Sequence, residues 1–247
     1  MPATPLTLVQ FHTTEDIPNY SPFCVKAEVL LKMSGLPYEI EWLDDPRKTP
    51  KGKLPMMRDG DKVIADSEFI MRYLVDEKGV KFDEQLSPRE KAQAHAFTKM
   101  IDERTYWVLV HDRWINDKNW PVTRDYWFGD LPFPLKGIIT RLVRSSVTKA
   151  SKGHGIGKHS HDDIYALAKS DFEAISNQLG ENAFLFGDKP STADAIAFGL
   201  LVNLVRGQLT NQVGEQLDFF PNLLAYVDRC MAQWYPEISA SADMAAE

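Results

Sequence analysis

The sequence predicts a small α/β domain over residues 1–79 followed by an all-helical domain over 87–247. Three observations carry this reading. Strand-like runs alternate with helical spacing in the first segment. The stretch GVKFDEQLSP, residues 79–88, has no periodicity and reads as a linker. From Ser87 onward only helical patterns remain.

The elements follow in order. Thr7 to Phe11 is a short β-prone run. From Pro22 to Ser34 the apolar residues Phe23, Ala27, Leu30 and Leu31 keep helical spacing, with Ser21 at the N-cap, Pro22 in the first turn and Gly35 at the end. Tyr38 to Trp42 alternates apolar and polar, as a half-buried strand does. Leu54–Arg58 and Lys62–Ala65 flank Asp59-Gly60, a strong hairpin signal. A helix over Ser67–Glu77 follows. The order β-α-β, hairpin, α implies a small mixed sheet with helices on its faces. In the second domain Ser87-Pro88-Arg89-Glu90 is a capping box opening a helix that runs to Ile115. Asp130-Leu-Pro-Phe-Pro interrupts the next stretch, and SKGHGIGKHS, residues 151–160, reads as a connection. Helices are predicted over Asp162–Leu179, from Ser191-Thr-Ala-Asp194 and from Pro221, with a frayed tail after Ser239.

Composition narrows the function. The chain has 247 residues, a net charge of −7, 44% hydrophobic residues and 26% charged residues. These values exclude a disordered chain and a disulfide-stapled miniprotein. The acidic balance disfavours nucleic-acid binding, which needs a basic face to displace counterions. MPATPLTLVQF has neither a basic n-region nor an apolar h-region, and no run approaches the roughly 18–20 apolar residues that span a bilayer. A cytoplasmic chain with no membrane association and reduced thiols at Cys24 and Cys230 is expected.

Three features of the first domain carry chemistry. They are Ser21-Pro22-Phe23-Cys24 at a strand-loop-helix junction, Lys53-Leu54-Pro55 before a strand, and Asp66-Ser67 at a helix start. Read alone, each also has a purely structural explanation. Ser21 and Asp66 or Ser67 would be N-caps, and Pro55 would open an edge strand. His154, His159 and His161 lack the regular spacing and additional ligands of a metal site, so no metal is expected there.

Together these features resemble the thioredoxin-like domain of the glutathione S-transferases joined to their helical domain. The runs Ser-Pro-Phe-Cys-x-Lys, Gly-Leu-Pro-Tyr-Glu, Pro-Lys-Gly-Lys-Leu-Pro, His-Gly-Ile-Gly-Lys-His-Ser and Phe-Leu-Phe-Gly-Asp-Lys-Pro are closest to the Fax (failed axon connections) and metaxin-like subgroup. The resemblance spans residues 6–236. It implies a cis Leu54–Pro55 peptide, with Leu54 pairing main chain to main chain with the cysteinyl part of glutathione. It also implies that Asp66 and Ser67 hold the γ-glutamyl end. Ser21 would be the catalytic hydroxyl that stabilises the thiolate, with Tyr20 and Cys24 as alternatives. Cys24 otherwise reads as a small packed residue. Four tryptophans between 107 and 127, with Tyr106, Tyr126 and Phe128, would wall a second-substrate pocket or pack as core. Ser191-x-x-Asp194 resembles the family's buried capping box. The implied activity is addition of glutathione, as co-substrate, to a hydrophobic electrophile, or glutathione-dependent reduction, by a homodimer. The alternative is a non-catalytic interaction module of the Fax/metaxin type.

Overall fold

Residues 5–13, 17–209 and 212–238 are described by a computed structural model, and the structural statements below concern these residues. β1 (Leu6–Gln10) and β2 (Tyr38–Trp42) run parallel, joined by α1 (Pro22–Ser34). β3 (Met56–Asp59) pairs antiparallel with β1 and returns through a tight turn to β4 (Lys62–Ala65), giving the order β2-β1-β3-β4. Gly60 takes φ +58° in that turn, a conformation that favours glycine. β3 begins at Met56 rather than at the predicted Leu54, since Pro55 has no N–H to give a ladder. α2 (Ser67–Asp76) packs beside α1. The order read from the sequence is therefore the order observed.

α1 departs from its sequence pattern. Nine of its residues are buried, including Lys26 and Glu28, so it is enclosed almost all round. The reason is its position: it packs against α2 and β1 within its own domain and against α8 (Thr192–Val205) of the other. Gly199 of α8 permits that approach, because a Cβ there would come within 2.6 Å of the Pro22 carbonyl oxygen. Lys26 reaches across to Asp102 at 3.1 Å. Glu68 of α2 and Lys99 of α3 (Pro88–Met100) join this charge cluster at the domain boundary.

The helical half begins as predicted. The Glu90 N–H donates to Ser87 Oγ and the Ser87 N–H donates to the Glu90 carboxylate. The helical run continues to Ile115, but not as uniform α-helix. Two π-helical segments, Ile101–Thr105 and His111–Ile115, flank α4 (Tyr106–Val110). π-bulges recur at functional sites because they re-aim side chains. α5 (Trp120–Phe128) and α6 (Leu135–His154) follow. α6 extends into the predicted connection and ends at Gly155, where φ is +111°. α7 (His161–Leu179), α9 (Gln212–Glu215) and α10 (Pro221–Trp234) complete the order around α8. The tail after Ser239 lies outside the described residues. Among those described, no helix is long and apolar enough to cross a membrane.

Candidate functional site

The site grows from the loop that leaves β1. Asn19 organises it: its side-chain amide donates to the Phe11 carbonyl at 2.8 Å, and its Oδ1 accepts the Ser21 N–H at 3.0 Å. The helical domain grips the same loop from the other side. Asn203 of α8 donates to the Asn19 carbonyl at 2.9 Å, and Arg113 donates to the Tyr20 carbonyl at 2.7 Å. Ser21 is thereby held between two domains.

Ser21 is the N-cap of α1, as the structural explanation holds; its Oγ accepts the Cys24 N–H at a long 3.4 Å. A hydroxyl has one proton and two lone pairs. Accepting this bond uses a lone pair and not the proton, for which the Cys24 thiol is a hydrogen-bond partner close by. The residue is only partly buried and lines a cavity of about 770 Å³ between the domains. Asp44, Asp45 and Arg47 flank this cavity from the β2–β3 connection, and Tyr106, Trp114, Trp127 and Phe128 supply aromatic wall. The remaining lining is mostly aliphatic, from the helical run before Ile115 and from α6. Two of the four clustered tryptophans are elsewhere. Trp107 stacks on His154 with ring centroids 4.9 Å apart, and Trp120 lies under the Arg144 guanidinium.

Leu54, Pro55, Asp66 and Ser67 lie outside that cavity's lining and form a patch of their own. The Leu54–Pro55 peptide is cis. The Asp66 N–H donates to the Pro55 carbonyl at 3.2 Å, tying the two predicted elements together. Leu54 is buried with Val9, Cys24 and Met56, which links the patch to α1 three residues after Ser21. The N–H and C=O of Leu54 make no backbone hydrogen bond among the described residues, although Leu54 and Pro55 are themselves buried. Asp66 caps α2 by accepting the Glu68 N–H at 3.0 Å, with its own φ at +94°. Such conformations in a non-glycine residue are uncommon and cluster at ligand clamps. Ser67 is buried at the helix start, where unpaired N–H groups attract anions.

Cys24 does not share the cavity. Burial pushes its thiol up to about 12, against smaller opposing effects from hydrogen bonds with Ser21 and the Phe11 backbone. A thiol so desolvated is a poor nucleophile. Tyr20 lines the cavity but is itself buried, its ring packed edge-on against Tyr126 at 4.6 Å. His161 pairs with His111 at 2.8 Å rather than with its sequence neighbours, and the described residues contain no cluster of three or more candidate metal ligands.

Arg113 and Asn203 were not legible in the sequence. A lone arginine in an aromatic helix reads as an exposed charge, yet Arg113 is only 4% exposed. The signal that existed was its place inside a tryptophan-rich stretch.

Comparison with known proteins agrees with this geometry. Residues 22–119 match the glutathione S-transferase N-terminal domain and residues 168–230 match the glutathione S-transferase C-terminal domain. The chain is 30% identical to mouse metaxin-1 over 83% of this chain and 67% of that protein. The chain belongs to the glutathione S-transferase family. Within the family it is also 29% identical to Failed axon connections of Drosophila melanogaster, over 97% of this chain. It spans about three fifths of that protein's length (61%). It is 28% identical to the isoprene-epoxide–glutathione S-transferase of Rhodococcus, over 88% of this chain and 94% of that protein. A glutathione transferase family member from Pseudomonas fluorescens, solved with two glutathione bound, shares the fold. Its TM-score is 0.60 at 19% identity, with 92% of this chain and 88% of that one covered.

Proposed function

We propose that the protein is a glutathione transferase that ionises the glutathione thiol at Ser21 and adds it to a hydrophobic electrophile. Glutathione lies along the Leu54–Pro55 main chain, with its γ-glutamyl end at Asp66 and Ser67. The observation that carries the reading is the position of Ser21. It adjoins the apolar cavity on one side and, through Cys24 and Leu54, the unpaired Leu54 main chain on the other.

The chemistry follows from the groups present. A free thiol ionises near 8.5, and each unit of lowering requires about 1.4 kcal/mol of preference for the thiolate. The Ser21 hydroxyl supplies part of it by donating to the sulfur. The proton leaves to solvent. The thiolate then forms a bond to an electrophilic carbon while the leaving group, or the opened ring oxygen, departs with its electron pair. The apolar cavity walls select the electrophile, and an epoxide, the substrate class in the name of the Rhodococcus relative, is the first to try. Residues 1–79 hold glutathione and 87–247 wall the second substrate. The protein works in the cytoplasm as a homodimer.

Titration with reduced glutathione at neutral pH, followed at the thiolate ultraviolet band, tests this. A saturable rise is expected, and Ser21→Ala is expected to cut the thiolate fraction about tenfold. No binding would overturn the reading. The relatives Failed axon connections and metaxin-1 would then favour the second one, a non-catalytic interaction module.

A further inference from the structure

The cavity contains a charge that the activation scheme above does not use. Arg113 sits in the second π-helical segment, lines the cavity and is almost wholly buried. Buried arginines ordinarily face a carboxylate. This one has no carboxylate within ion-pair distance among the described residues. Its nearest polar partners are neutral: the Tyr20 carbonyl, the Asn203 carbonyl and Asn203 Oδ1, at 2.7, 3.4 and 2.7 Å. Its Nε is buried without any partner.

Rest on the transferase reading, and this arrangement has a purpose. We infer that Arg113 is a positioning residue that also supplies charge: it holds the Tyr20–Ser21 peptide in place and its positive charge, bonded directly to no carboxylate, favours the thiolate form of the thiol bound beside Ser21. It acts through the Tyr20–Ser21 peptide, which its Nη1 holds at 2.7 Å, while its Nη2 is held by Asn203. In a mostly apolar cavity a charge acts across several ångströms with less screening than in bulk water. Desolvation has already pulled the guanidinium down to about 10, so a nearby anion relieves a real cost.

Other charged and titratable groups face it. Asp112, the preceding residue and wholly buried, offsets part of this charge, and its Oδ1 accepts the Tyr165 hydroxyl at 2.8 Å. Tyr106 and Tyr126 face Arg113 as neutral phenols, both pushed up by burial. At the cavity mouth Asp45 is spent on Arg47, leaving Asp44 as the nearby exposed carboxylate. Glu28 lies behind Cys24 in α1. The N-terminus of the 13-residue α1 adds a further positive end at Ser21.

The test is the pH titration of the thiolate band of bound glutathione in the full-length protein, its Arg113 variants and Ser21→Ala. Arg113→Met and Arg113→Gln are expected to raise the bound-thiol pKa by about one unit, a tenfold loss of thiolate near the midpoint. Arg113→Lys keeps the charge only below the lowered pKa of a buried ammonium, so it is expected to stay within about threefold of the parent at the acid end of the titration and to lose that at the alkaline end, with a lower melting temperature from the lost fork. Ser21→Ala retains Arg113, so its bound thiol is expected to ionise below the free thiol. An unchanged thiol pKa in Arg113→Met would overturn the inference. So would a Ser21→Ala protein that binds glutathione and ionises it no better than water, a result available even if the methionine variant fails to fold. Failure of the parent protein to bind glutathione would instead overturn the transferase reading itself.

Discussion

At the scale of single residues, position relative to the cavity separates the candidates around Ser21. The Ser21 hydroxyl reaches the cavity, whereas the Cys24 thiol is sealed among Val9, Leu54 and Met56. Alkylation of the native protein by iodoacetamide at neutral pH is expected to leave Cys24 unmodified, and Cys24→Ala is expected to keep glutathione-dependent turnover within about threefold. Mass spectrometry of the labelled protein and steady-state rates check both. Rapid labelling with loss of turnover would move the chemistry from Ser21 to Cys24. The residue pattern Ser-x-x-Cys already pointed this way, because a dithiol mechanism needs a second thiol. Burial of Cys24 follows instead from Leu54 and Val9, which are distant in sequence.

At the scale of elements, two features set stability. Asp194 near the start of α8 is buried and accepts from the Ser191 N–H, the Ser191 hydroxyl, the Leu185 N–H and the Tyr226 hydroxyl. Replacing it with Ala strands those donors, and a loss of about 3 kcal/mol is expected in urea denaturation. The Ser191-x-x-Asp194 spacing was readable in the sequence; its links to Leu185 and Tyr226 were not, since they come from a loop and from α10. The second feature joins the helical run before Ile115 to α7. His111 is buried, its Nε2 sits 2.8 Å from His161 Nδ1, and its Nδ1 has no partner. Burial, and then the neighbouring His161, pull its pKa down to about 4. A folded-state pKa below the unfolded value near 6.5 means the unfolded chain binds the proton more readily. The stability this residue contributes is therefore present above about pH 6.5 and lost as pH falls toward 4. The expected loss is on the order of 2 kcal/mol. His111→Gln is expected to flatten that part of the stability profile, measured by thermal melts between pH 7 and 4. An unchanged slope would assign the acid sensitivity elsewhere.

At the scale of the whole molecule, the domain boundary and the candidate site share the same residues. α8 lies against the first turn of α1 through Gly199, and Asn203, one turn further, holds the Asn19 carbonyl and Arg113. Gly199→Ala drives a methyl into the Pro22 carbonyl, backbone that cannot swing aside as a flexible side chain does. A destabilisation of about 1–3 kcal/mol is expected, together with weaker glutathione ionisation, because Pro22 follows Ser21 directly. Denaturant midpoints and the thiolate band read the two effects in the same samples. A stable variant with an unshifted thiolate band would show that the loop tolerates movement at this boundary.

The local pattern determined the strand and helix order, the mixed sheet and the capping boxes at Ser87 and Ser191, which depend on short-range physics: alternation, helical spacing and turn residues. The candidate positions Ser21, Leu54, Pro55, Asp66 and Ser67 stood out through the resemblance to the glutathione S-transferases, since each alone also reads as a cap or a strand start. Only the tertiary structure decided which tryptophans wall the cavity, that His161 meets His111, that Lys26 is buried against Asp102, and that Arg113 lies beside the Tyr20–Ser21 peptide. Each of these is a contact between residues about fifty or more positions apart, or a charge whose burial depends on what packs over it. A linear pattern records which side chains an element carries. It does not record which element will close over them, and that closure is what turns a lone arginine on a helix into a buried charge beside a cavity.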